Sequence, residues 1–387
     1  MNTNSTEPEI EPFSLLGVSL SFLIYFIDIQ CNGRDALIGS TTTDVKDRYV
    51  LGLTSASQLS LCAQMQNEGQ GEYVGQASWF ISHAWKCQFL EVTDAILAFF
   101  RAKVAQGQMS EMEMLDTIIW FDLFSNSQHN TSDKPFEWWQ GTFTNAIQEM
   151  GNVLQVLTPW DDPIPFTRAW CVFEIYACEM SNSNFQIAMT EIESQRFLEM
   201  ILKDSEEFYK MLARVDTSRS ECFLPEDKVR IQDAIRRLLP GGFTQLNSMV
   251  LRVVERWMLS LIEEKLASVQ LTGGADMIKE EMGWINAKAS LYRSQGKYDE
   301  AEPLYVDCLE KRRSVLGDRH PDTLTSINDL AGLYKSQGKY DEAEPLYVDS
   351  LKKRRSVLGD RHPDTLTSIN NLAGLYKSQG YYSFVAL

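Results

Sequence analysis

Glu174 and Trp170 stand four residues apart in the segment GNVLQVLTPWDDPIPFTRAWCVFEIYACEM, residues 151–180. That spacing puts both on one face of a helix, so a carboxylate lies beside an indole. Near a helix start, in a partly dry pocket, such a carboxylate suits the work of a catalytic acid. The alternative is an ordinary acid on a helix surface. Asp122, in the apolar run DTIIWFDLF at 116–124, is a second candidate acid, or else a strand-end cap. The four histidines lie far apart and none of the seven cysteines stands in C-x-x-C spacing, so no metal site is expected.

The elements around these acids follow from run length and period. Val153 to Leu157 is a short apolar run suited to a buried parallel strand, closed by Thr158-Pro159 and a loop with two aspartates. Trp170 to Ala177 then reads as one helix. A strand, a loop at its carboxyl end and a helix is where open α/β sheets place ligand sites. Further strands are expected at Ser78–Ser82, 116–124 and Phe185–Met189, with helices over Phe89–Val104, Phe143–Met150 and Ile192–Leu212. This alternation predicts a doubly wound parallel sheet over 76–212, preceded by an extension over 1–75 with a helix at Asp44–Met65. Residues 213–280 read as a helical connector, with helices over Val229–Leu239 and Leu246–Val269. Trp85, Trp138, Trp139 and Trp160 read as core rather than as cofactor stackers.

Charge and thiols bound the compartment and the partners. The chain of 387 residues has net charge −17; residues 281–387 hold 15 basic and 15 acidic side chains, so 1–280 carries the whole excess, 38 acidic against 21 basic. Nucleic acid and anionic membrane are poor partners for such a surface. Seven scattered cysteines point to reduced thiols and a cytoplasmic protein. The run FSLLGVSLSFLIYFI at 13–27 is too short for a spanning helix, holds three serines and follows glutamates, and is expected to be a buried element.

From Trp284 the chain repeats itself. Residues 297–338 and 339–380 differ at three of 42 positions: Cys308/Ser350, Glu310/Lys352 and Asp329/Asn371. A period of this length means stacked supersecondary units, here two helices each. One helix follows His-Pro-Asp, with Leu324, Ile327, Ala331 and Tyr334 on its buried face. The other runs from Tyr-Asp-Glu-Ala-Glu to Lys-Lys-Arg-Arg, acid first and base last, as the helix dipole favours. The third unit breaks off after Gly380 into YYSFVAL, which is expected to leave apolar surface and hints at a truncated relative or a dimer contact.

The segments LGDRHPDTLTSINNLAGLYKSQG and KYDEAEPLYVDSLKKRRSVLG resemble tetratricopeptide repeats, in the 42-residue form of kinesin light chains. That resemblance covers 284–380 and implies an α-solenoid over 281–387 whose first-helix asparagines, here Asn286, Asn328 and Asn370, hold an extended peptide by its backbone. A carboxamide both donates to and accepts from a peptide bond; the bland alternative is that these side chains bond neighbouring helices. The N-terminal heptads of a light chain are missing from 1–280.

FISHAW at 80–85, IIWFDLF at 118–124 and VLQVLTPW…RAWCVFEI at 153–175 resemble TIR-type domains, a flavodoxin-like fold. Trp170-Cys171 and Glu174 match the Trp-Cys-x-x-Glu of the plant-type pattern. The resemblance makes Glu174 the catalytic residue for cleaving NAD at its nicotinamide–ribose bond, NAD being substrate and no cofactor being required. It places nucleotide contacts at Ser82, His83, Trp85 and Trp170, although the Ser82-His83-Ala84-Trp85 loop and Arg168-Ala169 depart from the plant motif. The reaction would resemble glycoside cleavage, a carboxylate assisting an oxocarbenium-like ribose.

Two functions follow as expectations. One is a signalling protein whose repeats bind a protein or peptide and whose α/β domain self-associates or cleaves NAD. The other is a non-enzymatic, light-chain-like adaptor with an inert α/β scaffold. A truncated remnant is a third.

Overall fold

The computed structural model describes residues 14–129, 136–204, 208, 211–212, 215–222, 225–272 and 275–380. The tail after Gly380, on which one expectation rests, lies outside them, as do residues 1–13 and the side chains of Trp138 and Trp139. The chain forms two compact units: Met1–Phe197 with Lys210–Trp257, and Leu198–Tyr209 with Met258–Leu387.

The first unit holds six strands: β1 (Leu16–Ser19), β2 (Val74–Gln76), β3 (Trp79–Ser82), β4 (Ile118–Trp120), β5 (Asn152–Val156) and β6 (Asn184–Ala188). Their order in the sheet is β2-β1-β4-β3-β5-β6. β4, β3, β5 and β6 run parallel, as expected, but β1 pairs antiparallel with both β4 and β2, so the sheet is mixed rather than wholly parallel.

The helices of this unit are α1 (Leu20–Tyr25), α2 (Leu61–Asn67), α3 (Phe89–Ala105), α4 (Asp122–Ser125), α5 (Phe136–Met150), α6 (Ala169–Met180), α7 (Glu191–Asp204), α8 (Pro225–Leu238) and the start of α9 (Gly242–Thr272). Side chains alternate along a strand, which gives each face of the sheet its own core. Ile81, Ile119, Leu154 and Val156 pack with Phe89, Val92 and Ile96 of α3 and with Phe26. Phe80 and Trp120, paired across β3 and β4, stack at 4.8 Å on the other face, where Phe143 of α5 meets Phe80 at 5.5 Å. Each such aromatic, fully buried, contributes about 2–3 kcal/mol by transfer from water.

Three expectations change here. The run at 13–27, described from Ser14, is mostly buried but splits into a strand and a helix at Ser19, whose extended backbone and Oγ, accepting from Phe22 N at 3.1 Å, cap α1. Gly17 makes the strand fit: a Cβ there would meet the Ile119 carbonyl oxygen at 2.2 Å. Among the described residues no helix is long and apolar enough to cross a membrane. The helix expected over 44–65 is broken, because Gln58 takes a positive φ of 57° and Ser60 caps α2 afresh by accepting from Ala63 N. The strand expected over 116–124 shrinks to β4; Ser125 Oγ accepts from Phe121 N at 3.2 Å and the chain turns into α4.

In the second unit α10 (Ala275–Ser294), α11 (Tyr298–Leu316), α12 (Pro321–Ser336), α13 (Tyr340–Leu358) and α14 (Pro363–Ser378) pack each on the next. Leu324, Ile327 and Leu333 of α12 close on Ala301 and Tyr305 of α11; Leu372 and Leu375 of α14 close on Ala343 and Tyr347 of α13. Pro321 and Pro363 sit in the first turns, where no donor is lost, and His320 Nδ1 and His362 Nδ1 accept from Asp322 N and Asp364 N, each at 3.2 Å.

Candidate functional site

The parallel strands change winding direction between β3 and β5, so their carboxyl ends open the crevice at which doubly wound sheets bind ligands. Ser82 ends β3, and its register partner on β5 is Gln155, on the same face. α6 lays Glu174 over both. Ser82 Oγ is hydrogen-bonded to the Glu174 carboxyl and lies 3.1 Å from Gln155 Oε1, while Gln155 Nε2 donates to the Ser82 carbonyl at 3.3 Å. A hydroxyl carries one proton, so both Ser82 contacts are made at once when a neutral Glu174 donates to Ser82 and Ser82 donates to Gln155. The environment agrees. Burial holds the Glu174 carboxyl well above the usual range and the charge of Asp122 adds to that, against the opposing Ser82 bond. Glu174 is 9% exposed, so the ordinary surface acid is excluded.

A second group adjoins it. Asp122, the first residue of α4, accepts from Trp85 Nε1 through Oδ2. Its Oδ1 lies 3.7 Å from His83 Nδ1, and neither Oδ1 nor His83 Nε2 has a partner among the described residues. Burial depresses His83 to about 3, so the imidazole is neutral and the contact is no ion pair. Burial lifts Asp122 to about 7, against the Trp85 bond; its side chain keeps 24% of its exposure, and that contact with water tempers the effect. Cys171 Sγ donates to the His83 carbonyl at 3.3 Å, and burial keeps it a thiol rather than a nucleophilic thiolate.

Ser82, His83, Trp85, Asp122 and Glu174 are thus brought to one end of the sheet. Trp170 packs against Phe143 at 5.8 Å and Phe173 at 6.1 Å. Gln155 and Cys171 had no assigned role in the sequence; the signal for Gln155 was a lone polar residue inside an apolar strand. Among the described residues no group of three or more His, Cys, Asp or Glu could hold a metal.

In the repeats, Asn286 Nδ2 donates to Asp329 Oδ2 and Asn328 Nδ2 to Ser368 Oγ, both at 3.0 Å. Each bond joins one first helix to the next, α10 to α12 and α12 to α14. The Oδ1 of Asn286 and of Asn328 is buried without a partner among the described residues, and Asn370 is exposed. Arg312 and Arg354 repeat one another: each Nη1 donates to the carbonyl of Asp322 or Asp364 and to the hydroxyl of Ser326 or Ser368.

The tetratricopeptide repeat family matches residues 281–356 and 327–383. Residues 281–383 are tetratricopeptide repeats. No curated protein matches the chain. Among solved structures, a Podosopora anserina protein assigned as a kinesin light chain, with nearly identical TPR-like repeats, is 21% identical, covering 48% of this chain and 85% of its own at a TM-score of 0.29; a point variant of that protein gives 20%, the same coverage and 0.30. BtubC (BKLC) from P. vanneervenii is 17% identical over 65% of this chain and 86% of its own, with a TM-score of 0.27. TM-scores this low do not establish a shared overall fold. The tetratricopeptide assignment rests on the family match and on the repeat geometry above.

Proposed function

We propose that this protein is a cytoplasmic adaptor whose tetratricopeptide array takes an extended peptide from a protein partner along Asn286, Asn328 and Asn370. The observation that carries the reading is the pair of carboxamide oxygens, on Asn286 and Asn328, that lack partners among the described residues. A buried acceptor left unpaired costs about 1–3 kcal/mol, which an incoming peptide N–H recovers. The test is selection from a random peptide library on the full chain, followed by titration of the selected peptide. Replacing all three asparagines with alanine should weaken binding about tenfold or more, with helical circular dichroism checking that the repeats stay folded once the bonds to Asp329 and Ser368 are lost. Equal affinity of the triple variant and the wild type would refute the reading.

A second reading concerns the α/β unit: a TIR-like, self-associating signalling domain that hydrolyses NAD to nicotinamide and ADP-ribose. The buried carboxyl pair at the strand ends favours it. Nicotinamide leaves as a neutral ring, so the acid must act as an ionised carboxylate beside the oxocarbenium-like ribose. The positive charge of the nicotinamide ring in bound NAD would favour the ionised carboxylate, its proton passing to solvent; the nicotinamide–ribose bond breaks with its electron pair going to the ring, and water adds at the ribose carbon and releases one proton to solvent. Nicotinamide release by the concentrated full chain, lost in Glu174→Gln, is the expected result; no release by folded, assembled wild type sinks it.

A further inference from the structure

Away from both sites, α1, α2 and the segment leading into β2 enclose a recess of about 340 Å³, within the size of small-molecule sites. Phe22, Tyr25 and Tyr73 line it together with Met65, Glu68 and Glu72. Tyr25 and Tyr73 stack with centroids 5.8 Å apart and planes at 15°, and Phe22, 4% exposed, meets Tyr73 at 5.7 Å from beneath. Tyr25 keeps 36% of its surface, so this aromatic wall is reached from solvent. Glu68 and Glu72 are exposed at the rim, and the described lining contains no lysine or arginine.

We infer that this recess binds a small organic cation, a quaternary or methylated amine, held by the faces of Tyr25 and Tyr73 and the carboxylates of Glu68 and Glu72. The ring faces carry negative quadrupole, which attracts a weakly hydrated cation. A compact metal ion would want oxygen ligands converging on one point, whereas a tetraalkylammonium wants a wide apolar and aromatic surface with charge at its edge. The recess supplies the second. The 17-charge acidic excess of residues 1–280 adds a field that concentrates cations at this unit. An anionic or neutral ligand gains nothing from the rim.

The probe is choline chloride, titrated into the full chain at constant ionic strength and followed by saturation-transfer NMR. Saturable binding is expected, with the uncharged isostere 3,3-dimethyl-1-butanol at least about tenfold weaker. Tyr25→Leu, which keeps apolar surface and removes the ring, should weaken choline about tenfold, and Tyr25→Phe should restore it. The double variant Glu68→Gln/Glu72→Gln touches only exposed side chains, so its fold is kept; it should weaken choline severalfold and flatten the salt dependence. Equal binding of the neutral isostere would make the recess merely hydrophobic and overturn the inference. So would absence of saturation, or full affinity in Tyr25→Leu. A trimethyl-lysine peptide binding about a hundredfold tighter than choline would overturn the assignment to a free amine.

Discussion

At the carboxyl ends of the sheet strands, burial carries Glu174 and Asp122 toward neutrality, whereas in the repeats Arg312 and Arg354 are buried to 8% and 4% exposure among acceptors. A carboxylic acid has a titration close enough to neutral pH that the protein can discharge it rather than solvate it. A guanidinium has no such escape, and burial lowers Arg354 without making it neutral. The repeats must therefore supply acceptors, and they do so identically in two units: a helix-start carbonyl and a serine hydroxyl for each Nη1, with Thr325 Oγ1 added for Arg354 at 3.1 Å. The sheet end leaves two polar atoms without partners among the described residues, His83 Nε2 and Asp122 Oδ1, where a ligand can complete the set. The carboxyls answer burial by binding a proton, the guanidiniums by gathering acceptors.

That contrast can be broken from either side. The largest effect is expected in Arg354→Met. It removes the buried donor to the Asp364 carbonyl and to the Ser368 and Thr325 hydroxyls, and should destabilise the repeats by about 3 kcal/mol. Urea unfolding followed by helical circular dichroism measures it, and a loss below about 1 kcal/mol would show that the guanidinium holds nothing.

A smaller, pH-dependent effect is expected at Asp122. Its folded titration at about 7 lies above the ordinary carboxyl value of 3.8, so the folded state binds the extra proton between those limits. Stability then falls as pH rises through that window and stays low above it. His83 works the other way: depressed to about 3, it binds its proton only when unfolded, and its contribution grows as pH rises from about 3 to 6.5. The two slopes oppose each other below 6.5. The difference between Asp122→Asn and wild type isolates the acid: the variant should gain on the order of 2 kcal/mol from pH 4 to pH 8. A difference curve that stays flat would mean that Asp122 is ionised throughout.

The smallest effect is at the helix starts. His320→Ala removes the ring nitrogen that accepts from Asp322 N and should cost up to about 1 kcal/mol, seen as a small shift of the same urea transition. If it matched the loss in Arg354→Met, the ranking of the repeat's polar contacts would be wrong.

The repeat register, the buried series Leu324, Ile327 and Ala331, and the helix that carries Glu174 were legible because each is written in local period and spacing. Ser82 and Glu174 were placed in one site only by the TIR resemblance; the hydrogen bond between them comes from the tertiary structure. The antiparallel insertion of β1 beside β4 was not legible. It depends on Gly17 fitting against the Ile119 carbonyl, about a hundred residues away, and no local pattern records that approach. Nor could the sequence say that burial lifts the Glu174 carboxyl against its bond to Ser82, or that the asparagines bond Asp329 and Ser368. Periodicity reports which face of an element is buried. Protonation and hydrogen-bond partners depend on what covers that face, and only the tertiary contacts decide it.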